Sequence, residues 1–184
     1  IRLPDDIPDA LAAGLMVKGM TAHYLLHRSH RIKKGETVLV HAAAGGVGLI
    51  LCQWAKYLGA TVIGTVGSVE KAKVAKQHGC DYPILYCNED FIARTKAITK
   101  GEGVAVVYAS VGLATFSGSR DCLMPLGLMV SFGQSSGNPP FFDVIDLMTK
   151  GSLFLTRPSL FTYIAKRKDL LATAENVFDA VRKG

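Results

Sequence analysis

Short apolar runs alternate along this chain with longer stretches of helical spacing. The runs occupy residues 37–42 (TVLVHA), 61–67 (TVIGTVG), 82–86 (YPILY), 104–110 (VAVVYAS), 127–133 (GLMVSFG) and 152–158 (SLFLTRP). Most are rich in Val, Ile and Leu without polar alternation, the pattern of strands buried on both faces. Between them, residues 47–58, 70–78, 90–99 and 113–123 are each long enough for a helix. Gly59 and Gly79 directly follow the first two, where a helix end favours the left-handed conformation. This order predicts an α/β fold: a doubly wound (Rossmann) parallel sheet of six strands, ordered 3-2-1-4-5-6, with helices on both faces. Ahead of the first strand, residues 8–26 read as helical with a break near Gly19, and residues 161–183 read as one long amphipathic helix.

The segment between the first strand and its helix carries the most chemistry. It reads Val38-Leu39-Val40-His41-Ala42-Ala43-Ala44-Gly45-Gly46-Val47-Gly48. Small residues at such a turn let the backbone approach a pyrophosphate, and the free N–H groups of the helix start face its negative charge. Gly48 would let the helix pack closely on the sheet. The pattern is A-x-x-G-x-x-G rather than G-x-G-x-x-G, and the lysine-bearing phosphate loop of ATPases is absent. A tight turn with no ligand is the alternative; the strand–turn–helix setting favours a dinucleotide.

The second strand bears on which dinucleotide. An enzyme that prefers NAD places a carboxylate at this strand's tip for the ribose 2′-hydroxyl, but here the strand closes on Thr65-Val66-Gly67-Ser68. With Ser68 as N-cap, Lys71 falls where a capping box would put Glu. A cation in a first helical turn opposes the macrodipole, and an anion resting there, such as the 2′-phosphate of NADPH, removes the conflict. The plainer reading of Lys71 is a solvated lysine beside Glu70. The carboxylate-free tip also argues against a methyltransferase.

Length bounds the rest: 184 residues suit one domain, taken as residues 1–184 with its flanking helices. The opening Ile1-Arg2-Leu3-Pro4 has no initiator Met, so the chain is expected to be part of a longer protein. No apolar run approaches a membrane span, and Cys52, Cys80, Cys87 and Cys122 show no C-x-x-C pairing, which suits reduced thiols in the cytoplasm. The net charge of +6 suggests an anionic partner. The basic runs at residues 27–34 and 166–168 keep nucleic acid open as an alternative, although no aromatic-interleaved RNA motif accompanies them. His23, His27, His30, His41 and His78 lack metal-type spacing, so no metal site is expected. Trp54 and Tyr57 read as packing residues.

Several segments together resemble the zinc-independent quinone oxidoreductases of the medium-chain dehydrogenase/reductase superfamily, relatives of zeta-crystallin. They are Lys18-Gly19-Met20-Thr21-Ala22, HAAAGGVGLILCQWAK (41–56), GTVGS (64–68), GLMVSFGQSSG (127–137) and GSLFLTRPSL (151–160). The resemblance implies NADPH as cofactor, with Thr21 near the nicotinamide and Gly45, Gly46 and Val47 around the pyrophosphate. It implies Gly67, Ser68 and Lys71 at the 2′-phosphate and Tyr86 along the adenosine. Ser110, Phe132, Gly133, Gln134, Ser135, Pro158, Ser159 and Leu160 would complete the cofactor crevice. The reaction implied is hydride transfer to a quinone or another carbonyl or enone acceptor, for which no general acid or base is nominated here. Some zeta-crystallin relatives are associated with RNA, which keeps a regulatory alternative in view. The family's GroES-like, barrel-like catalytic domain is not in this chain, so the chain alone is expected to bind NADPH and turn over little or nothing. Family members commonly dimerise across the last strand, and an apolar edge invites pairing, so a homodimer through residues 152–156 is expected. Ala109 stands where the family usually has Asp, Leu85 where it often has Asn, and Gln134 where Asn is common. The first of these departures puts the loop geometry beside the cofactor in question.

Overall fold

A computed structural model describes residues 1–183. Its strands are β1 (Thr37–Val40), β2 (Thr61–Val66), β3 (Tyr82–Leu85), β4 (Val104–Ala109), β5 (Leu123–Ser131) and β6 (Phe154–Thr156). All neighbours pair in parallel, in the order β3-β2-β1-β4-β5-β6, as the alternation predicts. The helices are α1 (Asp9–Tyr24), α2 (Gly46–Tyr57), α3 (Val69–Gln77), α4 (Phe91–Ile98), α5 (Phe116–Asp121), α6 (Ile145–Thr149), α7 (Leu160–Tyr163) and α8 (Arg167–Arg182). Among the described residues, no helix is long and apolar enough to cross a membrane.

The sheet is apolar on both faces because successive side chains point to opposite sides. Val38 and Val40 of β1 enter one cluster with Val62, Val106, Tyr108, Leu25 and Leu51. Leu39 between them enters the other with Ile63, Ile84, Val107, Met129 and Phe116.

Four boundaries depart from the sequence expectation. First, α1 runs unbroken through Gly19, where a Cβ would stand 2.8 Å from Cγ1 of Val177. The glycine allows α1 and α8 to approach; it is not a break. The irregularity comes later, as a π-helical turn over Leu25–Ser29. Second, the helix expected over 113–123 begins only at Phe116, because Leu113 N–H donates to Gly137 O (3.1 Å) and Ala114 N–H to Ser136 Oγ (3.0 Å). Its end gives way to β5, which starts at Leu123 opposite Val104 and carries a register shift before Leu128. Third, residues 161–183 form two helices, α7 and α8, separated at Lys166 by extended backbone (ψ 136°). The first piece is held separately: Tyr163 stacks on Tyr24 with ring centroids 4.5 Å apart, and its hydroxyl lies 3.0 Å from Ser29 Oγ. Fourth, β6 is three residues long where seven were expected, and the short α6 precedes it.

Candidate functional site

The strand order reverses between β1 and β4, so the loops after these strands open a crevice at the carboxyl ends of the sheet. That is where open α/β sheets bind ligands. The turn after β1 is held by backbone. Ala42 adopts φ 51°, Gly45 N–H donates to Ala42 O (2.8 Å) and Ala43 N–H donates to Thr65 O (3.0 Å). A Cβ on Gly48 would lie 2.2 Å from Ala42 O and 2.9 Å from Ala43 O, so only glycine lets α2 start so near the strand. Gly45 is the N-cap of α2 and offers no side-chain cap. The first-turn N–H groups of Gly46 and Val47 therefore remain free for an anion.

Beneath this turn His41 is buried and braced on both sides. Its Nε2 lies 2.9 Å from Ser119 Oγ and its Nδ1 2.9 Å from Thr65 Oγ1. Ser119 Oγ already donates to Thr115 O (2.6 Å), so Nε2 donates to Ser119 and Nδ1 accepts from Thr65. Burial pushes the His41 pKa down to about 4. The ring is neutral and structural, tying β1 to β2 and α5.

The corner after β2 is built differently. Ser68 caps α3, its Oγ accepting from Lys71 N–H (3.3 Å), which sets Lys71 at the third helical position as expected. A Cβ on Gly67 would come within 2.8 Å of the Tyr86 hydroxyl, so the glycine lets that exposed ring cross the corner. Lys71 is exposed and joins no ion pair among the described residues. The strand tip carries no carboxylate. Glu70, one residue before Lys71, folds back on the helix start, where its own N–H and the Ser68 hydroxyl hold its carboxyl below the usual range.

On the other side of the crevice the loops after β4, β5 and β6 meet. Ser110 Oγ donates to His41 O (3.2 Å), and a Cβ on Gly133 would lie 2.4 Å from Ser110 O. Phe132 N–H and Gly133 N–H donate to Ala109 O (2.9 and 3.3 Å), and Ser135 N–H to Ser110 O (3.4 Å). Ala109 itself is buried in the apolar cluster around Leu39 and Met129, and its backbone bonds are intact. The loop geometry thus stands without the family's usual Asp. Arg157, which the sequence reading passed over, organises this side. Its Nη1 donates to Ser131 O and Gly133 O (2.9 Å each), and its Nη2 to Gln134 Oε1 (2.6 Å). An arginine between a strand end and a Pro-Ser turn, near carbonyl-rich loops, is the signal that marks it. Pro158 and Ser159 follow, and Leu160 packs against the first core cluster.

Thr21 lies on α1, outside the strand ends, and its hydroxyl is occupied by Val17 O (2.7 Å). One turn earlier, Lys18 lies across the glycine turn, its Cδ and Cε each 2.9 Å from where a Gly46 Cβ would be.

Elsewhere the titratable groups serve structure. A cavity of about 600 Å³ opens between α1, α2 and α8, lined by His23, His27, Trp54 and Val177 among others. None of the expected site residues lines it. His23 is held down to about 4 by burial, then by His27 and Arg28. Trp54 packs on both imidazoles, with ring centroids 5.8 and 5.1 Å away, but Tyr57 is 70% exposed and does not pack as expected. In the basic run, Arg28 is committed to Tyr163 O (2.8 Å) and His30 to Glu36 (2.9 Å), so residues 27–34 form no continuous free cationic strip. All four cysteines are free. Among the described residues, no group of three His, Cys, Asp or Glu side chains is gathered as a metal ion would need.

Comparison with known proteins agrees with this fold. Residues 46–175 match the family described as "Zinc-binding dehydrogenase", although the described residues hold no ligand set for zinc. The chain is 48% identical to a 2-haloacrylate reductase of Burkholderia sp over 187 residues, covering 100% of this chain and 56% of that protein. It is 49% identical to quinone oxidoreductase 1 of Escherichia coli K12 over 182 residues, covering 99% of this chain and 56% of that one. A crystal structure of Escherichia coli quinone oxidoreductase complexed with NADPH superposes with a TM-score of 0.97 at 48% identity, over 100% of this chain and 56% of the other. The chain thus spans little more than half the length of these relatives.

Proposed function

Because this chain belongs to the medium-chain dehydrogenase/reductase superfamily, on its quinone oxidoreductase branch, we propose that it is the NADPH-binding half of a reductase acting on quinones or related enones and carbonyl compounds. The observation that carries this reading is the uncapped, glycine-lined start of α2 at the point where the strand order reverses. Bound NADPH would supply the hydride. The chain's part is to hold and orient the cofactor. Gly45, Gly46 and Val47 receive the pyrophosphate on their backbone. Gly67, Ser68 and Lys71 receive the 2′-phosphate, and Tyr86 lies along the adenosine. Ser110, residues 132–135 and residues 158–160 line the nicotinamide side with Thr21, braced by Arg157, and exclude water there.

The acceptor class follows the relatives' names, one for quinones and the other for haloacrylates; both kinds of compound carry an electron-poor double bond conjugated to a carbonyl group, which suits a hydride acceptor. On this reading the second wall of the acceptor cleft comes from the family's barrel-like domain, and the chain alone binds cofactor while turning over little or nothing. Fluorescence titration with NADPH and NADH side by side tests it. NADPH is expected to bind at least tenfold more tightly, about 1.4 kcal/mol; equal affinities would remove the cofactor assignment.

We also propose a homodimer through the free edge of β6, where Phe154 is 59% exposed next to an unpaired strand edge. Light scattering at high concentration is expected to give twice the monomer mass; a monomer throughout would defeat the pairing.

A further inference from the structure

Helix α1 brings a cation to the glycine turn. A Cβ built on Gly46 would lie 2.9 Å from both Cδ and Cε of Lys18 and 3.6 Å from its Nζ. The alkyl chain therefore rests on the bare Cα of Gly46, and the ammonium stands beside the first turn of α2. Alone, that is an unfavourable place for a lysine, since a helix start already carries about half a positive charge. Nothing among the described residues balances it. The first turn of α2 has no acidic residue, and Lys18 joins no ion pair among the described residues. The ammonium thus stands near the helix start that carries the free N–H groups of Gly46 and Val47.

We infer that Lys18 is a further cofactor-binding residue, a clamp that closes on the pyrophosphate from the side opposite α2. This rests on the dinucleotide reading above and deepens it. Its ammonium donates to a phosphate oxygen while the helix start donates from below, so the bridge is held between two independent elements. Glycine at position 46 then has a second use, leaving room for the lysine chain. Lys18 precedes Thr21 by one turn, so both project from the same face of α1.

The pyrophosphate is common to NADPH and NADH, whereas Lys71 faces only the 2′-phosphate. That difference makes the assignment separable. The test is fluorescence titration of the full chain and its Lys18→Met and Lys18→Arg variants with NADPH and with NADH. Met keeps the alkyl packing on Gly46 and removes the charge. Lys18→Met is expected to weaken both dinucleotides by about tenfold, the effect of losing one charge-assisted hydrogen bond. The ratio of the two affinities and the melting temperature should stay at wild-type values, the loss should shrink as salt rises, and Lys18→Arg should restore binding to within about threefold of wild type. Unchanged affinity in Lys18→Met would overturn the assignment, as would a loss confined to NADPH. Should Lys18→Met melt at a lower temperature, the Arg variant decides: full-strength binding supports the clamp, and a tenfold loss opposes it. A wild-type chain that binds neither dinucleotide would instead sink the cofactor reading, and this clamp with it.

Discussion

At the glycine turn after β1, backbone bonds and close packing hold the chain, whereas the corner after β2 is more open, with its helix start capped by the Ser68 hydroxyl. Gly48 sits against two carbonyl oxygens, and His41 beneath it is locked between Thr65 and Ser119. Beyond the neighbouring strands, Lys71 and Tyr86 are exposed and Ser68 is half-buried, and the charge of Lys71 has no partner among the described residues. On the proposed function the two regions would divide the labour of binding. The buried one would set a shape that any dinucleotide pyrophosphate fits, and the exposed one would set which dinucleotide is preferred. Substitutions in the first should cost stability along with binding; substitutions in the second should alter selectivity and leave the fold alone.

The sharpest way to break the buried side is Gly48→Ala. The added methyl would overlap Ala42 O, which as backbone cannot swing aside. Destabilisation of ~3 kcal/mol is expected in urea unfolding, with NADPH and NADH binding lost together. A variant with wild-type stability and binding would show that the turn is far softer than its contacts indicate.

Acid should act on the same region. The folded-state pKa of His41 lies near 4, below the 6.5 of an unperturbed imidazole, so the unfolded chain holds more protons between these values. Stability from this group is complete above pH 6.5 and is lost as the pH falls towards 4, by up to about 1.4 kcal/mol per pH unit. His23, also held down to about 4, acts in the same direction. Urea unfolding at several pH values should show the decline, and a His41→Asn variant, although less stable at neutral pH, should decline less steeply. Parallel slopes would remove His41 as the cause.

Much of this division was legible in the residues. The six apolar runs marked the strands directly, because strands buried on both faces need no alternation to be recognised, and their order followed from the doubly wound pattern of intervening helices. Ser68 was identifiable as a cap from its place between an apolar run and a helical stretch, and Gly48 from its spacing after the strand. Gly19 was misread because a glycine inside a helical pattern looks alike whether it breaks the helix or admits a neighbour. Only the position of Val177, far along the chain, distinguishes the two. Arg157 and the proposed clamp Lys18 do not stand out in the sequence for a related reason. Their roles depend on loops and helices that meet only in the folded chain, and a lone cation in sequence usually signals solvated surface. The break between α7 and α8 was hidden by unbroken helical spacing, and it exists because Tyr163 is tied to Tyr24 and Ser29.

The exposed corner offers the most direct test of the account, through Lys71→Glu titrated with both dinucleotides. A carboxylate at this position would repel the 2′-phosphate and leave the pyrophosphate turn untouched. NADPH binding is expected to weaken at least tenfold, about 1.4 kcal/mol, while NADH binding changes much less and the melting temperature holds. Equal losses for the two cofactors would contradict the claim that this corner chooses between them.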